Sequence, residues 1–299
     1  MTTDRWLPPL GADTLVAMGR PVHRLIGSLS NGVVRAGSAV LERPARTLDD
    51  VGTPILVASH RRSGTHLTLD LLRRNFPACQ PRMLPLENPH FSYLNLDRFE
   101  PSTTLPCSER EALRLLSKAR RPLLKTHAEP GFADVAPAHD AFVRALVAKS
   151  KTIYVHRDGM KVMCSMWTWR RVFDARARVP FSEFIRQTDE RGRSRVMVWA
   201  DHVKAWRDTP GVRTIAFDRI VRDAPALLAE LGDFIGETPS VQDPPLPRSN
   251  TTRFQSYLSR LTGNLESTNQ HAAGDKPPKP DEVFTDEDRA FYEAESAGV

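Results

Sequence analysis

The chain has 299 residues, enough for one large domain or two small ones, with 40% hydrophobic and 26% charged residues. That composition is ordinary for a globular protein, and no run of about 18 apolar residues occurs, which excludes a membrane-spanning helix. Lysine and arginine outnumber aspartate and glutamate by 42 to 36, and the net charge of +6 suits an anionic ligand without the long basic stripe that nucleic-acid binding needs.

The three cysteines, Cys79, Cys107 and Cys164, are far apart and odd in number, so they form neither a disulfide framework nor a zinc cluster. No carboxylate pair or His/Cys cluster points to a metal. Cys164, in the apolar "KVMCSMW", reads as a buried thiol. The N-terminus "MTTDRWLPPLGADTLVAMG" lacks the basic start and long apolar run of a secretory signal, which points to the cytoplasm.

Residues 1–50 are weakly patterned. "HRLIGSLSNGVVRAGSAVLERP" has an amphipathic character broken near Asn31-Gly32. The expectation is an N-terminal extension packed on the body or near an acceptor site, with contact to a membrane surface as the alternative. From residue 51 a rhythm begins. "TPILVAS" reads as a strand and about Gly64–Asn75 as the helix after it, with Leu67, Leu71 and Leu72 on its apolar face. "RPLLKTH" (121–127), "KTIYVHR" (151–157) and "VRTIAFD" (212–218) read as three more strands. Helices are expected over 107–119, 134–149, 160–171, 182–207 and 223–236, with Val196, Trp199, Val203 and Trp206 on one core-facing stripe. The proline-rich 237–280 reads as loop, and Thr285 with Asp288 as the N-cap of a last helix at "DEDRAFYEAES". Strands alternating with helices imply βαβ units around a buried parallel sheet.

Ligands of such sheets bind beyond the carboxyl ends of the strands. Three of the four expected strands end in polar groups: Ser59-His60-Arg61-Arg62, Lys125-Thr126-His127 and His156-Arg157. At the first, "SHRRSGTHLTLDLL" places a basic turn at a helix N-terminus. The unpaired amides and the helix dipole favour an anion there, and Gly64 lets the backbone come close. Ser63 and Thr65 offer hydroxyls, and the Arg61 and Arg62 guanidinium forks suit phosphate oxygens. The G-x-x-x-x-G-K-[ST] pattern of a Walker A loop is absent. At the second strand end, Lys125 and His127 point to the same side, and histidine is the usual general base near neutral pH. At the third, Arg157 and Ser165, eight residues on, are placed to reach one anion.

In this order the three elements resemble the PAPS-dependent sulfotransferases, whose donor is 3′-phosphoadenosine-5′-phosphosulfate. "HRRSGTHL" resembles the 5′-phosphosulfate loop, with Arg62 where cytosolic members have lysine and the carbohydrate-type branch has arginine. "LLKTH" resembles the strand that carries the catalytic histidine, which nominates His127. "IYVHRDGMKVMCS" resembles the 3′-phosphate motif, which nominates Arg157 and Ser165. "TIAFDRI" is similar to the family's strand-plus-acid segment with Phe217 in place of tyrosine, and "NTTRF" to the Thr-x-Phe stretch near the adenine, which nominates Thr252. The resemblance covers about residues 51–255.

It implies a P-loop-NTPase-like three-layer α/β fold, with a central parallel sheet flanked by helices and residues 51–299 forming a single domain. It implies PAPS as co-substrate, PAP as product and no metal. Arg62, Lys125 and the Gly64–Thr65 amides would stabilise the transferring group, and His127 would take the proton of an acceptor hydroxyl or amine. Arg61, Ser63 and Thr65 would bind the donor, and His66 sits where the family meets the nucleotide. Leu67 replaces an aromatic that often stacks on adenine, and the late R-K-G-x-x-G-x-W-K motif is not recognisable, leaving Arg260 or Lys276 as substitutes. The family's dimer motif is not seen, so the oligomeric state is open. The acceptor is a small molecule, lipid or sugar, its pocket formed by 1–50, 80–110, 172–182 and 237–280. Phe91, Tyr93, Leu94 and Phe99 either line that cleft or form a lid packed on the core. The rival readings are a P-loop-type small-molecule kinase, a non-catalytic nucleotide-binding module, and a degenerate family member that binds without turnover.

Overall fold

The computed structural model describes residues 45–82, 93–99, 107–131, 139–242 and 276–299. Within them β1 (Ile55–Ser59), β2 (Tyr93–Asn95), β3 (Leu123–Thr126), β4 (Lys151–His156) and β5 (Arg213–Ala216) form a five-stranded sheet in the order β2-β3-β1-β4-β5. Every pairing is parallel. Central β1 is buried along its whole length, and its side chains alternate between two cores. Ile55 and Val57 enter one, Leu56 and Ala58 the other. Each fully buried Ile, Leu or Val side chain contributes about 1.5–3 kcal/mol.

Helices cover both faces. In chain order they are α1 (Thr65–Asn75), α2 (Glu109–Leu116), α3 (Asp140–Lys149), α4 (Gly159–Phe173), α5 (Phe181–Arg186), α6 (Arg195–Arg207), α7 (Phe217–Arg222), α8 (Ala224–Ile235), α9 (Pro280–Val283) and α10 (Asp286–Glu295). Helices α1, α7 and α8 pack with Ile55, Val57 and Ile153; α2 to α6 pack with Leu56, Leu124 and Tyr154. This is the P-loop-like three-layer α/β architecture that the resemblance implied. Side-chain caps mark several helix starts: Ser108 accepts from the Glu111 amide, Asp158 from Lys161, Ser194 from Met197, and Thr285 from Asp288 as expected.

Three expectations change. The segment expected as one helix over 182–207 is two, α5 and α6. Gly192 turns the chain at φ 75°, Thr188 and Ser194 bridge, and Ser194 starts a new helix. The fourth strand stops at Ala216, and Phe217 and Asp218 open α7 instead of continuing it. β2 was not expected at all: three residues are too few to show a period of two. Leu94 and Phe99 are 0% and 1% exposed and belong to the core, in line with the second of the two readings left open for them.

The Val196, Trp199, Val203 and Trp206 stripe is core, and all three cysteines are buried free thiols; burial pushes Cys164 up to about 12. Among the described residues no helix is long and apolar enough to cross a membrane, and no cluster of three or more His, Cys, Asp or Glu side chains could hold a metal. The amphipathic segment within residues 1–44, Phe91, Thr252 and Arg260 lie outside the described residues.

Candidate active site

Parallel register brings the polar strand ends to one edge. Ala58 lies beside Thr126 and Ser59 beside Val155, so the residues just past β1, β3 and β4 emerge level with one another. The turn after β1 is closed by the Ser63 amide donating to the His60 carbonyl over 3.2 Å. Arg62 sits at φ 71° and Gly64 at φ 106°. A left-handed arginine stores about 1–2 kcal/mol of strain, which functional turns commonly hold. Inside the turn the Ser59 and Thr65 hydroxyls bond to each other.

Arg62 joins the first motif to the third. Its Nε donates to Ser165 Oγ in α4 over 3.1 Å, and its guanidinium lies 5.8 Å from the Trp169 ring. Arg157 in turn donates from Nη1 to the Arg62 carbonyl over 3.2 Å and stacks 4.6 Å above Phe217. The Phe217 ring also fills the space over Gly64, where an added Cβ would collide with it. The bare face of Gly64 therefore serves an aromatic ring of the chain itself, a partner not foreseen in the sequence.

The second motif lies next to the turn. Lys125 Nζ donates to His66 Nε2 over 3.4 Å and sits 5.9 Å from the Tyr93 ring. His127 Nδ1 lies 2.8 Å from the Ser59 carbonyl oxygen. A carbonyl can only accept, so Nδ1 carries the proton and Nε2 presents a lone pair. Two buried polar atoms of the site have no partner among the described residues: Ser63 Oγ and Arg157 Nε. Buried donors are normally satisfied, so orphans beside a basic turn fit a site that completes itself with an anionic ligand.

Residues 52–276 match the family model described as Sulfotransferase domain. The chain belongs to the sulfotransferase domain family. Among solved structures, it is similar to a mouse sulfotransferase complexed with PAP, at 18% identity over 83% of this chain and 86% of that one, with a TM-score of 0.49. It is also similar to retinol dehydratase in complex with androsterone and inactive cofactor PAP, at 20% identity over 81% and 79% of the two chains, with a TM-score of 0.46. A search of curated proteins finds no match.

The electrostatics of this sulfotransferase suit a dianion or larger. Burial, then the nearby Arg157, lowers Arg62 to about 10, and burial also lowers Arg157 against the pull of Asp218. Both guanidinia stay charged at neutral pH, held close by the fold. Burial, then Lys125, holds His127 well below the usual histidine range, so it is neutral at pH 7.

Of the other nominated residues, Ser63, Thr65 and Ser165 are buried, and Arg61 and His66 are exposed. Arg61 makes no side-chain hydrogen bond among the described residues, and Lys276, the described substitute for the late clamp, is exposed. Four contributors had no sequence signal of their own. Asp97 Oδ1 accepts from the Thr126 hydroxyl and the His127 amide, each at 2.8 Å. His202 and Trp206 donate to the carbonyls of His127 and Ala128, and Tyr154 bonds His202 from behind. In the sequence, Trp206 showed only as core.

Proposed function

We propose that this sulfotransferase moves the sulfuryl group of 3′-phosphoadenosine-5′-phosphosulfate to a hydroxyl or amine of a small-molecule, lipid or sugar acceptor, with His127 as general base. The observation that carries the reading is the His127 tautomer. Its Nδ1–H is committed to the Ser59 carbonyl, which leaves Nε2 as a base beside Lys125 and the Ser-Gly-Thr turn. The donor supplies an activated sulfur whose bond to the phosphate oxygen breaks as the acceptor attacks, releasing PAP. His127 Nε2 takes the acceptor proton in the same step. Arg62, Lys125 and the amides at the start of α1 hold negative charge on the transferring group, by analogy with phosphoryl transfer. Arg157 and Ser165 hold the 3′-phosphate, and Ser63, Thr65, Arg61, His66 and Thr252 complete the donor site.

Residues 51–299 form one catalytic domain in this reading. In support, Phe284 and Tyr292 near the C-terminus pack into the same core as Leu56 of β1. Family membership sets the kinase reading aside. Calorimetric titration with PAP beside ADP–Mg²⁺ tests the donor, and preference for ADP–Mg²⁺ would sink it. His127→Ala tests the base: turnover should fall by about 10²–10⁴-fold with PAP affinity retained.

A further inference from the structure

The backbone around His127 is not held by the sheet. The last ladder partner in β3 is Thr126, opposite Ala58, so the N–H and C=O groups of His127 and Ala128 lie past the strand. Each group finds a partner elsewhere. The His127 amide donates to Asp97 and the Ala128 amide to the Thr126 hydroxyl over 3.0 Å. The His127 carbonyl accepts from His202 Nε2 over 3.2 Å, and the Ala128 carbonyl accepts from Trp206 Nε1 over 3.0 Å. His202 and Trp206 are four apart on α6, one turn along one face, so the helix presents two donors to two consecutive carbonyls.

The proton positions in this arrangement are determined. The His127 carbonyl can only accept, so His202 carries its proton on Nε2. His202 Nδ1 therefore accepts, and Tyr154 donates its hydroxyl to it over 3.0 Å. Tyr154 and His202 are 0% and 3% exposed. Burial lowers His202 to about 4 and raises Tyr154 above its ordinary value, so both are neutral at pH 7. His60 packs edge-on against His202 with ring centroids 5.5 Å apart and bonds the Arg61 carbonyl from its own Nδ1. The chain from Tyr154 through His202 is thus a fixed strut and no proton relay. A buried imidazole in a core is costly unless both nitrogens are used, and here both are.

The structure assigns Tyr154, His202 and Trp206 as positioning residues that set the orientation of His127. The assignment rests on the general-base reading of His127. Its consequence is separable from donor binding, because the hydrogen bonds of Tyr154, His202 and Trp206 that bear on His127 run to one another and to the carbonyls of His127 and Ala128.

Nitrogen NMR of histidine-labelled protein reads the tautomer of each imidazole without any substrate. In the unsubstituted chain His127 should be held as the Nδ1–H form. His202→Leu should release it into a tautomer mixture, lower turnover by about 10- to 100-fold and leave PAP affinity unchanged. His202→Gln keeps an N–H for the carbonyl and an oxygen for Tyr154, and should restore most of both readouts. If the leucine variant does not fold, Tyr154→Phe carries the test, with a smaller loss in the same direction. A folded His202→Leu or Tyr154→Phe protein with an unchanged His127 tautomer and unchanged turnover would overturn the assignment. So would a glutamine variant no better than leucine, or PAP affinity lost in step with turnover. An unsubstituted chain that binds no PAP would instead refute the donor reading, and the NMR measurement would still decide the positioning role.

Discussion

Arg62 Nε donates to Ser165 Oγ over 3.1 Å, joining two motifs that lie 103 residues apart in the chain. The arginine reaches the serine from a left-handed backbone at φ 71°, and Arg157 bonds the carbonyl of the same residue. Arg62 therefore links the two halves of the proposed donor site. It stands beside the turn that would hold the phosphosulfate and touches the serine proposed to hold the 3′-phosphate.

That double role distinguishes two substitutions. Ser165→Ala removes one hydroxyl and one hydrogen bond, so stability should change by no more than about 1 kcal/mol. PAP affinity should fall by about tenfold, because both a ligand contact and the anchor of Arg62 are lost. Arg62→Lys keeps the charge but has no Nε to reach Ser165 and no planar fork. It should weaken PAP binding by about 10- to 100-fold, more than the serine variant. Calorimetry with PAP checks both, and equal affinities for the lysine variant and the unsubstituted chain would contradict this account of the linkage.

Gly64 is constrained twice, by φ 106° and by the Phe217 ring above its Cα. Gly64→Ala should cost about 1–2 kcal/mol for the backbone alone, plus the displacement of the ring. Adding Phe217→Ala to it should return the steric part and not the backbone part. A double-mutant cycle on denaturant unfolding separates the two. Additive costs would show that the ring and the glycine do not press on each other.

The elements legible in the sequence were those with a strong local pattern. The apolar run of β1 before a basic turn, and charged residues at the ends of buried strands, are hard to explain without a ligand at that edge. β2 left no such trace in its three residues. The break between α5 and α6 does carry signals, Gly192 and the Ser194 cap, which the reading of 182–207 as one helix passes over. The hold on His127 is invisible for another reason: Asp97 and His202 lie 30 and 75 positions away from it, and no periodicity encodes a contact between distant elements. Phe217 reads in the sequence as a replaced tyrosine, and its seat on Gly64 depends on α7 starting where the sequence predicts that a strand runs on.

Three histidines around the site are kept neutral by the fold, and this gives a pH dependence with a definite sign. Burial, then His202, lowers His60 to about 3; burial lowers His202 to about 4; and burial, then Lys125, holds His127 well below 6.5. Half-buried His156 shifts in the same direction. The unfolded chain, with ordinary histidines, therefore takes up protons first as the pH falls. Stability should be constant between about pH 7 and 8 and drop below about 6.5, each histidine adding up to about 1.4 kcal/mol per pH unit. Denaturant midpoints between neutral pH and about 5 measure this, and a flat profile would contradict it. His127 itself remains an unprotonated base across the same range. The ascending limb of kcat/KM should therefore lie below the usual histidine pKa when measured on protein that is still folded.

The C-terminal helix is tied to the body by one buried carboxylate. Asp288 is 1% exposed, and its Oδ1 accepts from the Ser182 hydroxyl at 2.6 Å and from Arg186, while Oδ2 accepts from the Thr285 amide at 3.2 Å. Burial alone would raise its pKa, but the bonds from Ser182 and Arg186 outweigh it and leave the carboxyl below its ordinary value. Arg186 also stacks 4.4 Å above Phe291, so the same pair packs α10 against α5. Asp288→Ala would leave Arg186 without its buried partner and remove the helix cap, at a cost of about 2–4 kcal/mol. Asp288→Asn keeps one oxygen for the cap but turns an NH2 toward Ser182 and Arg186, so it should keep the cap, lose the ion pair and cost less than the alanine. Urea unfolding of the two variants measures the difference. Equal costs would mean that the ion pair, and not the cap, holds the helix; no cost in either would mean that the apolar packing of Phe291 and Tyr292 holds α10 without this carboxylate.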